Sequence, residues 1–453
     1  VGAAPAGVTR FADPEANHGI ANGLRALSVS DDVTSMRHYS NILRLGILPR
    51  TGDMSVRRMG VSMGQRAYER QPRHLVVAGA LLLALQLWAV AEAGPREQAR
   101  RLYDRLAGVP PSASVLDQMT NDIAANNAAA AAQLAMDDKN FYNVTLRNFV
   151  APWTNRDRSV FVPLNDYTAT VIGMVRDDVD FSTVLSADLL YVGNVSGAPA
   201  YSAANNNHYQ YLDDNNADLK ASLRPATQSG LLGLPVAATA GIITTRTAAQ
   251  AFFVAGTNRA MFRFTMINFM CRDLEQLQDS SLPTDRIRQD VSRSPGGDSR
   301  VFLNSCVTCH DGMDPMAQAF AYYNFDATTG VMSYTAGSVQ PKYLINSDNF
   351  KPGFVTTDDR WDNYYRHGAN QVLGFDAAQP GSGSGAKSLG QELARSDAFA
   401  QCQVEKVFRS VCLREPGNAA DRSQVSSMKT RFRAGGYKLK QVFADAGVYC
   451  MGT

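Results

Sequence analysis

Residues 75–91, LVVAGALLLALQLWAVA, form an almost unbroken apolar run of 17 residues. Arg66, Arg70 and Arg73 precede it, and Ala89-Val90-Ala91 and Ala91-Glu92-Ala93 follow as small-residue cleavage patterns. A basic stretch, a short apolar core and an A-x-A end are the marks of a secretory signal peptide. The run sits at the short limit for a membrane span, so a short anchor or a buried helix is the alternative. Residues 66–93 are therefore expected to be the signal peptide. Residues 1–65 lack a clear helical or strand periodicity and are expected to be an over-extended or unstructured N-terminus, with translation starting at Met59 or Met63. The part that must fold begins near Gly94, in an exported and oxidising setting, the periplasm or an equivalent compartment. The membrane is met only transiently unless the signal stays uncleaved.

The remainder has room for a substantial core. The chain has 453 residues, 45% hydrophobic and 19% charged, with a formal net charge of +2. That balance is globular. Without a basic cluster it argues against nucleic-acid binding.

Helical signals dominate. PREQARRLYDRLAGVPPSASVLDQM reads as helix, turn, helix, with Ser112 as cap of the second helix. NDIAANNAAAAAQLAMDD is alanine-rich and helical by propensity. Residues 244–277 are the strongest helical segment, their Met and Phe residues reading as core. NNNHYQYLDDNNADLK is expected to be a solvated surface loop, because Asp213, Asp214, Asn216 and Asp218 lack the glycine and terminal glutamate of a calcium loop. Residues 283–300 read as a connection and PGSGSGAKS (380–388) as a flexible linker. Helices follow in 389–413, capped at Ser396, and over 420–433. The expected fold is mainly α: a helical domain over 94–285, a distinct segment over 286–380 and a small helical C-terminal domain over 381–453.

The chemistry concentrates in Cys306-Val307-Thr308-Cys309-His310. Two thiols three residues apart, with an imidazole one residue on, supply the two thioether attachments and the axial nitrogen of a covalent haem c. A structural or redox disulfide and a zinc site are the alternatives. Zinc would need a second ligand pair, and no second C-x-x-C is present. A thioredoxin-like motif would open a helix after an apolar strand, and no such strand precedes this one. One haem c, with Cys306 and Cys309 as attachment points and His310 as proximal iron ligand, is the favoured cofactor.

The other four cysteines are even in number. Cys402 with Cys412 and Cys271 with Cys450 is the expected pairing, with free buried thiols as the alternative. On the far side of the iron, Met332 and His367 are the candidate ligands. Met313 and Met316 lie too near His310 in sequence and are expected to pack at the haem edge. Tyr322, Tyr323, Phe325 and Tyr334 read first as aromatic core.

CVTCHDGMDPMAQAFAYYNFDATTG resembles the haem-bearing segment of large planctomycete-type cytochrome c proteins. In that family C-x-x-C-H is followed by Met/Ile-Asp-Pro, here Met313-Asp314-Pro315, and by Asn-Phe-Asp, here Asn324-Phe325-Asp326. The segments GLLGLPVAATAGIITTRTAAQAFFVAGTNRAMFRFTMINFMC and SDAFAQCQVEKVFRSVC resemble its flanking helical regions, so the resemblance runs roughly over 180 to 450. It implies haem c at Cys306, Cys309 and His310 in a mostly helical setting, and no substrate. This chain is much shorter than those proteins and carries no adhesion or sugar-binding module.

The expected function is one-electron transfer to a redox partner protein or a small redox molecule. A haem-dependent enzyme, peroxidase- or oxidase-like with an open distal site, is a second reading. A surface scaffold stapled by its haem is a third. No catalytic triad or nucleotide loop is present, and the GSGSG stretch follows no strand that would make it a dinucleotide turn.

Overall fold

The computed structural model describes residues 93–254, 256–344 and 353–452. The expected signal peptide and the segment before it lie outside the described residues, apart from Ala93. Everything described belongs to one compact unit, which the segments 94–285, 286–380 and 381–453 share.

Helix α1 (Pro95–Ala107) starts with proline at its first position, where the missing N–H costs nothing. It buries Ala99, Leu102, Tyr103 and Leu106, one helical face. Ser112 caps α2 (Ala113–Ala124), its hydroxyl accepting from the Val115 N–H at 3.4 Å. The alanine-rich α3 (Ala128–Asp137) packs on both. Far along the chain, α4 (Asp166–Arg176) is buried on nearly every side. It lies against β1 (Leu190–Gly193), which pairs antiparallel with β2 (Leu223–Ala226).

The last three helices close onto the first. These are α10 (Asp397–Cys412), α11 (Ala419–Ala434) and α12 (Leu439–Cys450), with α12 packed against α1 and α3. Phe443 of α12 meets Phe141 and Phe149 edge-on at 5.3 and 5.2 Å between ring centroids, geometries that favour aromatic pairs. Ser396 caps α10 as its position implied. Helix α12 follows the helix expected over 420–433 and was not separately marked by the local pattern. Its apolar face is real but short, and the preceding Gly435-Gly436 hides the restart.

Three expectations are corrected. Residues 205–220 are not a surface loop. They contain α5 (Asn207–Asp214), which buries His208, Tyr209 and Leu212. The helix is amphipathic, but its polar face is so rich in Asn and Asp that composition masks the apolar stripe. Asp213 there pairs with Arg147 at 2.6 Å. Second, 244–277 is two helices rather than one, α6 (Arg246–Phe252) and α7 (Arg259–Thr265), the latter continuing as a π turn over Met266–Met270. The break falls at Asn258, whose φ of +58° suits a short polar side chain. Its amide donates to the Phe320 and Tyr323 carbonyls, both at 2.9 Å. Third, 380–388 is no linker: Ser382–Ser384 forms β6 against β5 (Arg360–Asp362), and Gly385 opens α9 (Gly385–Ala394). Glycine serves close approach here, since a Cβ at Gly383 would lie 2.9 Å from the Trp361 ring.

The disulfides also differ from expectation. Cys271 bonds Cys402 and Cys412 bonds Cys450, with Cα separations of 5.3 and 5.4 Å. Cys402 and Cys412 lie on the same helix, and ten residues of helical rise hold their Cα atoms about 15 Å apart. A disulfide tolerates at most about 7 Å. Non-reducing peptide mapping is expected to recover the 271–402 and 412–450 cross-linked peptides and no 402–412 pair. Removing either bridge by a Cys→Ser change is expected to cost about 2–5 kcal/mol of stability, read by chemical denaturation.

Candidate functional site

The Cys306–His310 motif sits on a continuous helical stretch, not in a loop. Asp298 caps its start, accepting from the Arg300 N–H at 2.9 Å. A π turn over Phe302–Cys306 follows, then α8 (Val307–Ala317). Cys306 closes the π turn, and Cys309 and His310 occupy the first turn of α8. Single π turns inside helices recur at functional sites because they re-aim side chains by one residue. Here the turn delivers the two cysteines and the histidine within one stretch of about a turn.

Both thiols are unpaired and half-buried, whereas the four other cysteines are bridged. The Cys309 thiol lies 3.8 Å from the Leu274 carbonyl. Burial pushes it up, against a partly compensating hydrogen bond from Gln278.

His310 keeps 20% of its side chain exposed, and its Nδ1 lies 3.2 Å from Oδ1 of the wholly buried Asp314, one turn further along α8. Asp314 in turn is gripped by Arg259 from α7, Nε to Oδ1 at 2.7 Å and Nη2 to Oδ2 at 3.0 Å. The Arg288 backbone N–H adds a bond to Oδ2 at 3.2 Å. Arg259 also forks onto Asp290 at 2.7 and 2.8 Å. Burial alone would raise the Asp314 carboxyl, but Arg259 first, then Arg288 and His310, hold it well below the usual carboxylate range.

Arg259, Arg288 and Asp290 escaped the sequence reading. Two of them lie in the segment read as a connection, and nothing in a run such as RIRQD marks Arg288 as 2% exposed. Asp314 was visible only as part of the Met313-Asp314-Pro315 pattern that carries the family resemblance.

The far wall of the motif comes from residues 364–370. Tyr365 is fully buried against α8 where Gly312 lacks a side chain, and a Cβ there would lie 2.1 Å from the tyrosine ring. Asp279 ties the two segments together. Its N–H donates to the Thr308 carbonyl at 3.2 Å, and its Oδ2 accepts from the Ala369 N–H at 2.6 Å. His367 stands between these anchors and is exposed, so its segment is held beside the cysteine–histidine turn. Met332 is placed otherwise: on β4 (Val331–Tyr334), across from Phe325 of β3 (Tyr323–Asp326), with 9% exposure as part of the main core. Met313 and Met316 are buried in that core too.

Asp311 is the anomalous group. It is 1% exposed, and neither carboxylate oxygen has a hydrogen-bond partner among the described residues; nor does the Tyr365 hydroxyl. Proline at 315 also removes the helical donor for the Asp311 carbonyl. Burial pushes the Asp311 carboxyl up to about 7.

The residues fit a covalent haem c. Two half-buried free thiols, Cys306 one helical turn before His310 and Cys309 directly preceding it, accompany an imidazole whose Nδ1 is engaged and whose Nε2 has no partner among the described residues. No group of three or more His, Cys, Asp or Glu converges on a metal-ion site among the described residues. A haem needs no such group, because the porphyrin supplies four of the iron's ligands.

Gly312→Ala is expected to cost about 1–3 kcal/mol by overpacking against Tyr365, with Tyr365→Leu in the same chain recovering much of it in thermal melts. Asp311→Asn tests the buried carboxyl. The wild-type group has a folded pKa raised from 3.8 to about 7, so its stability is greatest below pH 3.8 and falls as pH rises towards 7. The variant does not titrate there. Its advantage in Tm is expected to open between about pH 4 and 7 and to level above that, at about 5 °C.

No protein-family model, curated protein or solved structure matches this chain.

Proposed function

We propose that this chain is an exported mono-haem c-type cytochrome that passes single electrons to a redox partner protein or small redox molecule. The observation that carries the reading is selective pairing. Four of six cysteines are bridged, as an oxidising compartment favours. The two that stay free are those of C-x-x-C-H, set beside an imidazole held by a buried carboxylate. Cys306 and Cys309 would hold the haem through thioether bonds and His310 would be its proximal ligand. When bound, the group supplies a one-electron couple, with its potential tuned by axial ligands, hydrogen bonding and burial. The chain's own part is to fix the imidazole through Asp314 and to anchor the attachment helix through Tyr365 and Asp279.

His367 is the better distal candidate, because its segment is tied to the motif while Met332 is committed to the core. That commitment also favours the second reading, a haem-dependent oxidoreductase with an open distal site, should His367 not close it.

Produced with haem-attachment machinery, the exported chain is expected to retain one haem after denaturing acid extraction, and Cys306→Ser with Cys309→Ser to lose it. A chain with no covalent haem overturns the proposal. For a carrier, the spectrum is six-coordinate and low-spin, and His367→Ala converts it to high-spin while Met332→Ala does not. A five-coordinate wild-type spectrum with ready cyanide binding selects the oxidoreductase reading.

A further inference from the structure

We propose that Asp314 is a positioning residue that fixes His310 in its Nδ1–H form and, through that hydrogen bond, lowers the reduction potential of the haem. The argument starts from the lone pairs of the carboxylate. An ionised carboxylate only accepts hydrogen bonds and has about four acceptor sites. Arg259 fills two, through Nε at 2.7 Å and Nη2 at 3.0 Å, and the Arg288 N–H fills a third at 3.2 Å. His310 Nδ1 takes the fourth at 3.2 Å.

A carboxylate gripped by a bidentate guanidinium has no proton to donate, so the hydrogen of this contact belongs to the imidazole. The other tautomer would set the Nδ1 lone pair against an anionic oxygen inside the protein. It would also put a hydrogen on Nε2, the nitrogen that would have to be free to bind a haem iron. The hydrogen bond made by one ring nitrogen sets what the other can do.

The surrounding charges keep this arrangement in place. Arg259 and Arg288 balance Asp290 and Asp314, and Arg259 forks onto both carboxylates. Asp314 is therefore held ionised without being left as a lone buried anion, which would be costly. The 310–314 spacing of one helical turn on α8 places the two side chains on the same face. A carboxylate accepting from the outer nitrogen makes an imidazole a more basic ligand, and a more basic ligand favours the oxidised over the reduced iron.

The tautomer can be read without haem, while the effect on potential rests on the haem c reading, so the two fail separately. The full chain, labelled with nitrogen-15 at histidine and expressed without haem-attachment machinery, is examined by NMR, with His310 assigned as the signal that His310→Gln removes. His208 serves as internal standard for the Nδ1–H form, because its Nε2 accepts from the Gly193 N–H at 2.9 Å while Nδ1 meets the Pro199 carbonyl at 2.7 Å. His310 is expected to match His208. An Nε2–H His310 overturns the proposal, and this arm needs no haem; His208 in its Nδ1–H form in the His310→Gln spectrum shows that the variant used for assignment is folded.

In the haem-loaded protein, Asp314→Asn is expected to favour the reduced form about tenfold, raising the midpoint potential by about 59 mV for a one-electron couple. An unchanged midpoint in a folded, haem-loaded Asp314→Asn protein also overturns it. A chain that takes up no haem instead removes the cytochrome reading and leaves the tautomer result to decide the hydrogen bond alone.

Discussion

The buried carboxylate of Asp314 joins three separate parts of the chain at one point. It receives Arg259 from α7, the Arg288 backbone from the irregular stretch after residue 283, and His310 from its own helix. Moving two charges out of water costs several kcal/mol each, and such a pair is retained only with excellent geometry and its remaining hydrogen-bonding capacity satisfied. Asp314 meets that condition by filling its acceptor sites. Arg288 is less fully satisfied: its Nη2 donates to Thr257 Oγ1 at 2.7 Å and its guanidinium lies over the Tyr343 ring, while Nε and Nη1 have no hydrogen-bond partner among the described residues. The rotation of α8, and with it the direction of Cys309 and His310, follows from this arrangement.

A second set of constraints holds the helix from the opposite side. Tyr365 fills the space over Gly312, and Asp279 bonds both the motif backbone and the segment carrying His367. The thiols and the imidazole are thus displayed by a helix clamped on two faces, while the groups between those faces are not all satisfied. Asp311 and the Tyr365 hydroxyl are buried polar atoms without partners among the described residues. Buried polar groups are nearly always paired in stable proteins, and exceptions concentrate where function asks for something other than stability.

Much of the helical architecture was legible from local rules. The Ser112 and Ser396 caps, the proline opening of α1 and the alanine-rich α3 all follow from short-range physical chemistry and appear where local pattern places them. Legibility failed where tertiary contacts override composition. Helix α5 hid behind its Asn and Asp residues. The glycine-serine stretch became a strand because Trp361 needed a neighbour without a side chain, and the long helix over 244–277 broke where the Asn258 amide found carbonyls more than sixty residues away.

The sequence alone determined the chemistry on offer: the C-x-x-C-H spacing, the even number of remaining cysteines, the helical bias and the apolar run at 75–91. These are properties of neighbouring residues, set by spacing and composition. Only the tertiary structure decided the partners. Cys402 pairs with Cys271 because a straight helix keeps it from Cys412. The segment that carries His367 lies beside the motif because Asp279 and Tyr365 hold it there, whereas Met332 belongs to the core. Asp314 faces His310 because an arginine 55 residues upstream bonds its other lone pairs. Each outcome depends on distances through space between residues far apart in the chain, which local pattern does not encode.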